Sequence, residues 1–287
     1  MRIVVTGANG LFGQDIVKLL GAKHHEVHGL GREQLDITNE SQCLEVLRAL
    51  KPDVIIHSAA YTAVDLAETE EEMAYRINAD GTRNLAVVAE NIGAKFCYIS
   101  TDYVFDGTAT SAYREDDETN PQSVYGKSKR AGEKHVESLS SKHFIVRTSW
   151  VYGIYGANFV KTMLNLAKSR DSLKVVSDQF GSPTYTVDLA LFLEILIQTE
   201  RYGIYHASNS GVCSWYEFAC AIFEESGVKI RVDPCTTEEF PRPAPRPRNS
   251  AMEHEAIRAN GFEDLRPWRE GLRAFLKELG ESKDENR

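Results

Sequence analysis

The sequence predicts an α/β protein, a doubly wound parallel sheet with a smaller α/β lobe attached. Short apolar runs alternate with longer amphipathic ones from the N-terminus to Val176, as strands each followed by a helix would. The first run passes directly into a glycine-rich turn and then a helical pattern. After Val176 the alternation weakens.

Ile3–Thr6, Val27–Leu30, Val54–His57, Phe96–Ser100, Phe144–Thr148 and Leu173–Val176 read as strands. They are rich in β-branched or aromatic residues and mostly close on Gly, Ser, Thr or Asp. Leu11–Leu20 reads as the first helix. Glu40–Leu50 has Thr38 or Asn39 as its N-cap and stops before Pro52. Glu72–Ile92 repeats Met73, Ile77, Leu85, Val88 and Ile92 at near-helical spacing and stops at Gly93. Pro121–Leu139 opens on a proline, which suits a helix N-terminus. Beyond Val176 come helices at Val187–Thr199, Trp215–Ser226 and Pro267–Leu279, a short strand at Tyr205–Ala207 and the stretch Pro241–Arg248. The residues Glu281–Arg287 read as a charged, frayed tail. The expected division is a sheet unit of residues 1–149 plus 171–200 and a lobe of 150–170 plus 201–287.

A formal net charge of −9, from 33 basic and 42 acidic residues, argues against nucleic acid or an anionic membrane as partner, since both need a broad basic surface. It leaves room for a small anionic ligand at a local basic site. Five cysteines, an odd number with no C-x-x-C pair, argue against a disulfide framework or a thiolate metal site. The N-terminus is too short in apolar length for a secretory signal. The most apolar stretch, Leu189 to Ile197, is interrupted by Glu194 and falls far below the ~20 residues of a membrane span. A soluble, cytoplasmic protein is expected, with a homodimer as the default assembly. The acidic run Glu68–Glu72 reads as a solvated helix start, and no metal is expected.

The first strand runs into Gly7-Ala8-Asn9-Gly10-Leu11-Phe12-Gly13, spaced G-x-x-G-x-x-G. Glycines here permit a tight turn and close backbone approach to a pyrophosphate. The following helix offers unpaired N–H groups and a partial positive charge. Any tight turn uses glycine, but this one follows the first strand and opens a βαβ unit, the context of a Rossmann-type dinucleotide site. The second strand ends at Gly31-Arg32, where NAD-preferring folds usually place an acidic residue. A guanidinium at Arg32 favours a 2′-phosphate. The cofactor expected is therefore NADPH or NADH, with the phosphorylated form preferred.

Tyr125-Gly126-Lys127-Ser128-Lys129 is a Y-x-x-x-K pair on a predicted helix, and its i,i+4 spacing puts Tyr125 and Lys129 on one face. Twelve tyrosines and an ordinary share of lysine make about 0.6 such pairs by chance, so position decides. The pair falls between the fourth and fifth strands, where a parallel sheet's C-terminal crevice gathers residues. An ammonium near a phenol lowers its pKa and fits it for proton transfer near neutral pH. Thr101, at the end of the fourth strand, is placed to hydrogen-bond a substrate carbonyl oxygen. The Pro/Arg stretch sets Arg242, Arg246 and Arg248 among four prolines, which partly preorder planar cations suited to phosphate.

With these motifs the chain resembles the extended short-chain dehydrogenase/reductases, and among them the dTDP-4-dehydrorhamnose reductase family. The resemblance spans nearly the whole chain. It runs through Gly7–Gly13, Leu35–Asn39, Ser58–Asp65, Ser100–Phe105, Tyr125–Lys129, Arg147–Gly153, Asp178–Thr184 and Ala244–Ser250. It implies reduction of a sugar-nucleotide 4-ketone by NADPH or NADH, with Thr101, Tyr125 and Lys129 as the catalytic triad. Gly10, Leu11 and Phe12 would line the pyrophosphate loop, Asp36 and Ile37 would meet the adenine, and Ala59, Ala60 and Tyr61 would line the cofactor. Asp102 and Trp150 would contact the sugar nucleotide, and Arg246 best matches the family's pattern for its diphosphate. Leu66 stands where the family often has Lys, outside the proposed chemistry. Two alternatives stay open. One is a regulatory subunit resembling the β subunit of methionine adenosyltransferase. The other is a different sugar-nucleotide reductase or epimerase; a 4,6-dehydratase would need an acidic pair after the Thr, and here Tyr103 follows Asp102.

Overall fold

The computed structural model describes residues 1–284. In its first half β1 (Arg2–Thr6) leads to α1 (Leu11–Ala22), and β2 (Glu26–Leu30) to α2 (Glu40–Leu50). β3 (Val54–His57) is followed by α3 (Val64–Ala67), α4 (Glu71–Tyr75) and α5 (Thr82–Ile92); β4 (Lys95–Thr101) is followed by α6 (Val124–Leu139) and β5 (His143–Thr148). Next come β6 (Val151–Tyr152), α7 (Phe159–Leu166), β7 (Ser172–Val176), β8 (Phe180–Gly181), β9 (Thr184–Tyr185), α8 (Thr186–Leu196) and β10 (Gly203–His206). The last elements are β11 (Cys213–Ser214), α9 (Trp215–Ser226), β12 (Arg231–Cys235), α10 (Glu255–Ala259) and α11 (Trp268–Asp284).

Six strands form one parallel sheet in the order β10-β5-β4-β3-β1-β2. Its central strands are apolar on both faces because both faces are covered. Ile3, Val5, Val54 and Ile56 pack with Ile16 of α1 and Leu193 of α8; Val4, Ile55, Phe96 and Tyr98 pack with Leu47 of α2, Leu85 of α5 and Val136 of α6. A third core, around Phe218 of α9, Leu173 of β7 and Phe275 of α11, fills the lobe. The expected doubly wound sheet with a smaller lobe is what forms.

Several details differ from the sequence expectation. The strand at Leu173–Val176, assigned to the sheet unit, pairs instead with β12. It buries Leu173 and Val175 while Lys174 is exposed, and a strand with one wet face does not fit a sheet covered on both. The strand near Tyr205, assigned to the lobe, is the sheet's sixth strand and pairs with β5. Tyr205 is buried against α8, and Ile257 of α10 joins the same core. Helix α6 starts at Val124 rather than Pro121, because the Ser123 hydroxyl caps it by accepting from Gly126 N–H at 3.1 Å. Asn39, not Thr38, caps α2, accepting from Gln42 N–H at 3.0 Å. The expected helix 72–92 is interrupted by a π-helical stretch, Arg76–Gly81. There the Asn78 side chain accepts from Tyr61 N–H at 2.8 Å and donates to Ser128 Oγ at 3.0 Å, so the widened turn ties three segments together. Helix α11 runs on to Asp284; the rest of the expected tail lies outside the described residues.

No helix among the described residues is long and apolar enough to cross a membrane. All five cysteines are free thiols, and no cluster of described residues is arranged to hold a metal ion.

Candidate active site

A cleft of about 720 Å³ opens at the C-terminal ends of the sheet strands. One end is built by the glycine turn. Gly7 has φ +68°, and a Cβ there would come within 2.6 Å of Ala59 N. A Cβ at Gly13 would come within 2.1 Å of Gly7 O. Gly10 N–H donates to Gly7 O at 2.9 Å and closes the turn. Helix α1 starts directly after Gly10 with no side-chain cap, leaving its first N–H groups to a ligand. This cradle fits a dinucleotide pyrophosphate. Gly7, Gly10, Leu11, Phe12 and Gly13 all line it.

Arg32, Asp36 and Ile37 line the same wall, and Arg32 is exposed at the rim. Asp36 is held in place: its Oδ1 accepts from Thr38 N–H at 3.0 Å and from Thr38 Oγ1 at 2.8 Å. These bonds, with Arg32 and Arg76 nearby, keep its carboxyl below the usual carboxylate range. Arg76 also lines the cleft and was not singled out on sequence. It sits in the π-helical stretch, whose shape no local pattern announces. Ala59 and Ala60 line the cleft after β3. Tyr61, expected beside them, is not among the residues lining the cleft. Its hydroxyl donates to Glu70 Oε2 at 2.6 Å and its N–H to Asn78 Oδ1 at 2.8 Å, and its ring packs half-buried against Ala67, Ala74 and Val124.

At the other end, Thr101, Asp102, Tyr125, Lys129 and Trp150 meet. Parallel pairing puts Thr101 beside Thr148 on β5. Thr101 Oγ1 donates to Asp102 Oδ1 at 2.9 Å and accepts from Tyr103 N–H at 3.2 Å. Tyr125 is the second residue of α6, with the Tyr103 ring edge-on at 5.5 Å. Burial pushes the Tyr125 phenol up to about 12; a hydrogen bond with Thr101 opposes this and the Asp102 charge adds to it. Burial lowers the Lys129 ammonium to about 7, with Glu133 opposing. Lys129 Nζ donates to Ile99 O at 2.7 Å and lies over the Tyr98 ring at 4.1 Å. The Lys129 charge is not among the causes acting on the Tyr125 phenol, and the expected depression of its pKa is not seen. Desolvation dominates the shift.

Asp102 is buried, and its Oδ2 has no hydrogen-bond partner among the described residues. Burial raises its carboxyl to about 6, against the Ser250 and Thr101 hydroxyls. Trp150 is half-buried with φ +47°, in the left-handed region. Arg246 does not line the cleft. Its Nη2 pairs with Asp65 Oδ1 at 2.8 Å and its Nη1 donates to Ala244 O at 3.1 Å. Its charge nevertheless reaches Tyr103, which does line the cleft: burial raises that phenol's pKa and Arg246 opposes the rise. Arg242 stands 4.0 Å from the same Asp65.

Behind α6 lies a buried cluster missed on sequence. Glu133 accepts from Ser100 Oγ at 2.6 Å and, through both oxygens, from Arg147 at 2.9 Å. The fork ties α6 to β4 and β5, one turn beyond Lys129. Its sequence signal, an acidic residue four after Lys129, has meaning only once Arg147 is brought opposite.

The fold and this geometry agree with comparison to known proteins. The model of the RmlD substrate binding domain family matches residues 1–281. This chain belongs to the RmlD substrate binding domain family. A spore coat polysaccharide biosynthesis protein of Bacillus subtilis, SpsK, is 45% identical over 99% of both chains. A dTDP-4-dehydrorhamnose reductase of Aggregatibacter actinomycetemcomitans is 45% identical over 88% of this chain and 90% of its own. Among solved structures, a dTDP-4-dehydrorhamnose reductase from Bacillus anthracis in complex with NADP superposes with a TM-score of 0.95, is 49% identical, and covers 96% of this chain and 99% of that one. Family membership and the Rossmann-type sheet therefore agree with the resemblance read from the motifs.

Proposed function

We infer that the protein is an oxidoreductase that reduces the C4 keto group of dTDP-4-dehydro-β-L-rhamnose to give dTDP-L-rhamnose, using NADPH or NADH. The observation that carries this is the convergence of Thr101, Tyr125 and Lys129 in one cleft with the glycine cradle of α1. The division of labour follows the layers: the six-strand unit serves the dinucleotide and the lobe closes over the sugar nucleotide.

When bound, the reduced nicotinamide supplies the hydride. Tyr125, whose phenol stays protonated well above neutral pH, donates its proton to the oxygen on C4. Thr101 orients that oxygen through its hydroxyl. The Lys129 ammonium holds the nicotinamide ribose, and Glu133 helps keep it charged. Asp102, with one unsatisfied oxygen, accepts a sugar hydroxyl. Arg32 favours a 2′-phosphate, and Arg246, freed from Asp65, serves the diphosphate. Five free thiols suit the cytoplasm, and a homodimer is the expected assembly.

The test is turnover of the dTDP-4-keto sugar followed at 340 nm. Tyr125→Phe should lose about 10²–10⁴ in kcat while NADPH affinity changes less than about twofold. Wild-type turnover in that variant refutes the assignment. Cofactor binding with no turnover in the unmodified protein favours the regulatory reading instead.

A further inference from the structure

Trp150 occupies a backbone conformation that a bulky L residue rarely adopts, at φ +47°. Such strain persists only where the surroundings over-determine it. Here the surroundings are specific. The Trp150 carbonyl accepts from Thr184 N–H at 3.2 Å, which fixes the chain at the start of β6. One face of the indole lies flat on Trp215, with ring centroids 3.5 Å apart and 8° between planes. A second constraint is Gly181 on β8. A Cβ there would come within 2.7 Å of Trp150 Cε2 and 2.8 Å of Cζ2, so the ring is seated where a side chain is missing.

Trp215 is itself braced. It is the first residue of α9, whose start is fixed by a reciprocal pair: Glu217 N–H donates to Ser214 Oγ at 3.1 Å, and Ser214 N–H to Glu217 Oε2 at 2.7 Å. The Phe159 ring packs against it at 4.6 Å. Trp150 lines the cleft beside Thr101 and Tyr125; Trp215 and Gly181 do not.

We propose that Trp215 and Gly181 form a slot that holds the Trp150 indole upright as a wall for the sugar ring, so that Trp215 is a positioning residue for substrate acting through Trp150. A 6-deoxy sugar presents a methyl group and C–H bonds, and a fixed aromatic surface desolvates these without losing rotamer freedom on binding. Both indoles pack against the lobe's own core, so the slot is built within the lobe. The proposal rests on the assignment of Trp150 to the substrate side.

Four variants test it: Trp215→Ala, Trp215→Phe, Gly181→Ala and Trp150→Ala. Each is assayed for KM and kcat with the dTDP-4-keto sugar, for NADPH affinity, and for the circular-dichroism couplet of two stacked indoles. Trp215→Ala should abolish the couplet and raise the sugar-nucleotide KM about tenfold, close to the worth of one aromatic contact. NADPH affinity should change less than about twofold. Trp215→Phe, which keeps a ring in the slot, should bring KM back to within about threefold of the parent while the couplet stays lost. Gly181→Ala should raise KM in the same way, and carries the test if Trp215→Ala does not fold. An unchanged KM in folded Trp215→Ala or Gly181→Ala, with KM raised in Trp150→Ala, overturns the slot and leaves Trp150 on the substrate side. An unchanged KM in Trp150→Ala overturns that assignment and the proposal together.

Discussion

Tyr125, Lys129 and Asp102 share one site, yet burial moves each in the direction that opposes its charge. Tyr125 stays neutral, the form that can donate a proton. Lys129 loses charge as pH rises through about 7, and Asp102 loses charge as pH falls through about 6. The pH profile of kcat/KM for the free protein should therefore be narrow, with limbs near these two values. A rate that is level from pH 5 to 9 contradicts this. Asp102 also makes a stability prediction. Its folded pKa lies above the unfolded value, so its ionisation costs stability, and that cost is present above about 6 and absent below the ordinary carboxylate range. Asp102→Asn should gain about 1–3 kcal/mol at pH 7.5, with the gain vanishing near pH 3.5, and should weaken sugar-nucleotide binding. Denaturant melts at the two pH values decide it.

Helix α6 shows how an element places chemistry. Its N-cap Ser123 sets the first turn, and Tyr125 lies in that turn. The helix is then fastened at Glu133, whose carboxylate bridges Ser100 and Arg147. Ser123→Ala should cost about 1 kcal/mol of stability and lower kcat more than it alters NADPH affinity, because fraying moves Tyr125 and leaves α1 untouched. An equal loss in both would place the effect elsewhere. The Y-x-x-x-K spacing and the glycine turn were legible because each is a local requirement of one helix or one turn. The π-helical stretch at Arg76–Gly81 was not, because the widened turn is held by Asn78 reaching Tyr61 and Ser128 across the fold.

At the scale of the whole molecule, the proposed function has an acidic chain of net charge −9 receive two anionic ligands, for which we propose local devices: helix N-terminal amides, Arg32 and Arg246. Ligand binding to the folded state alone adds stability by mass action, about 2.7 kcal/mol at a hundred times Kd. A thermal melt with NADPH at that level should show this gain, and NADH at the same concentration a smaller one, given Arg32 at the cofactor rim. Equal shifts would remove Arg32 from cofactor selection. The sheet unit, which carries the glycine cradle, should account for this stabilisation without the sugar nucleotide present.

By itself the sequence determined the sheet's five leading strands, the cradle at Gly7–Gly13 and the placing of Tyr125 and Lys129 on one face, since periodicity, turn chemistry and helix spacing act over a few residues. Only the tertiary structure decided that Gly203–His206 completes the sheet while Ser172–Val176 joins the lobe. Both segments are short and apolar, and which neighbour covers them settles the matter. The same holds for the site: that Tyr61 bonds to Glu70, that Lys129 rests on Ile99 O, that Arg246 is paired with Asp65, and that Trp150 is clamped by Trp215 are all contacts between segments far apart in the chain. Desolvation, which leads the shifts of Asp102, Tyr125 and Lys129, exists only once those segments have closed around them.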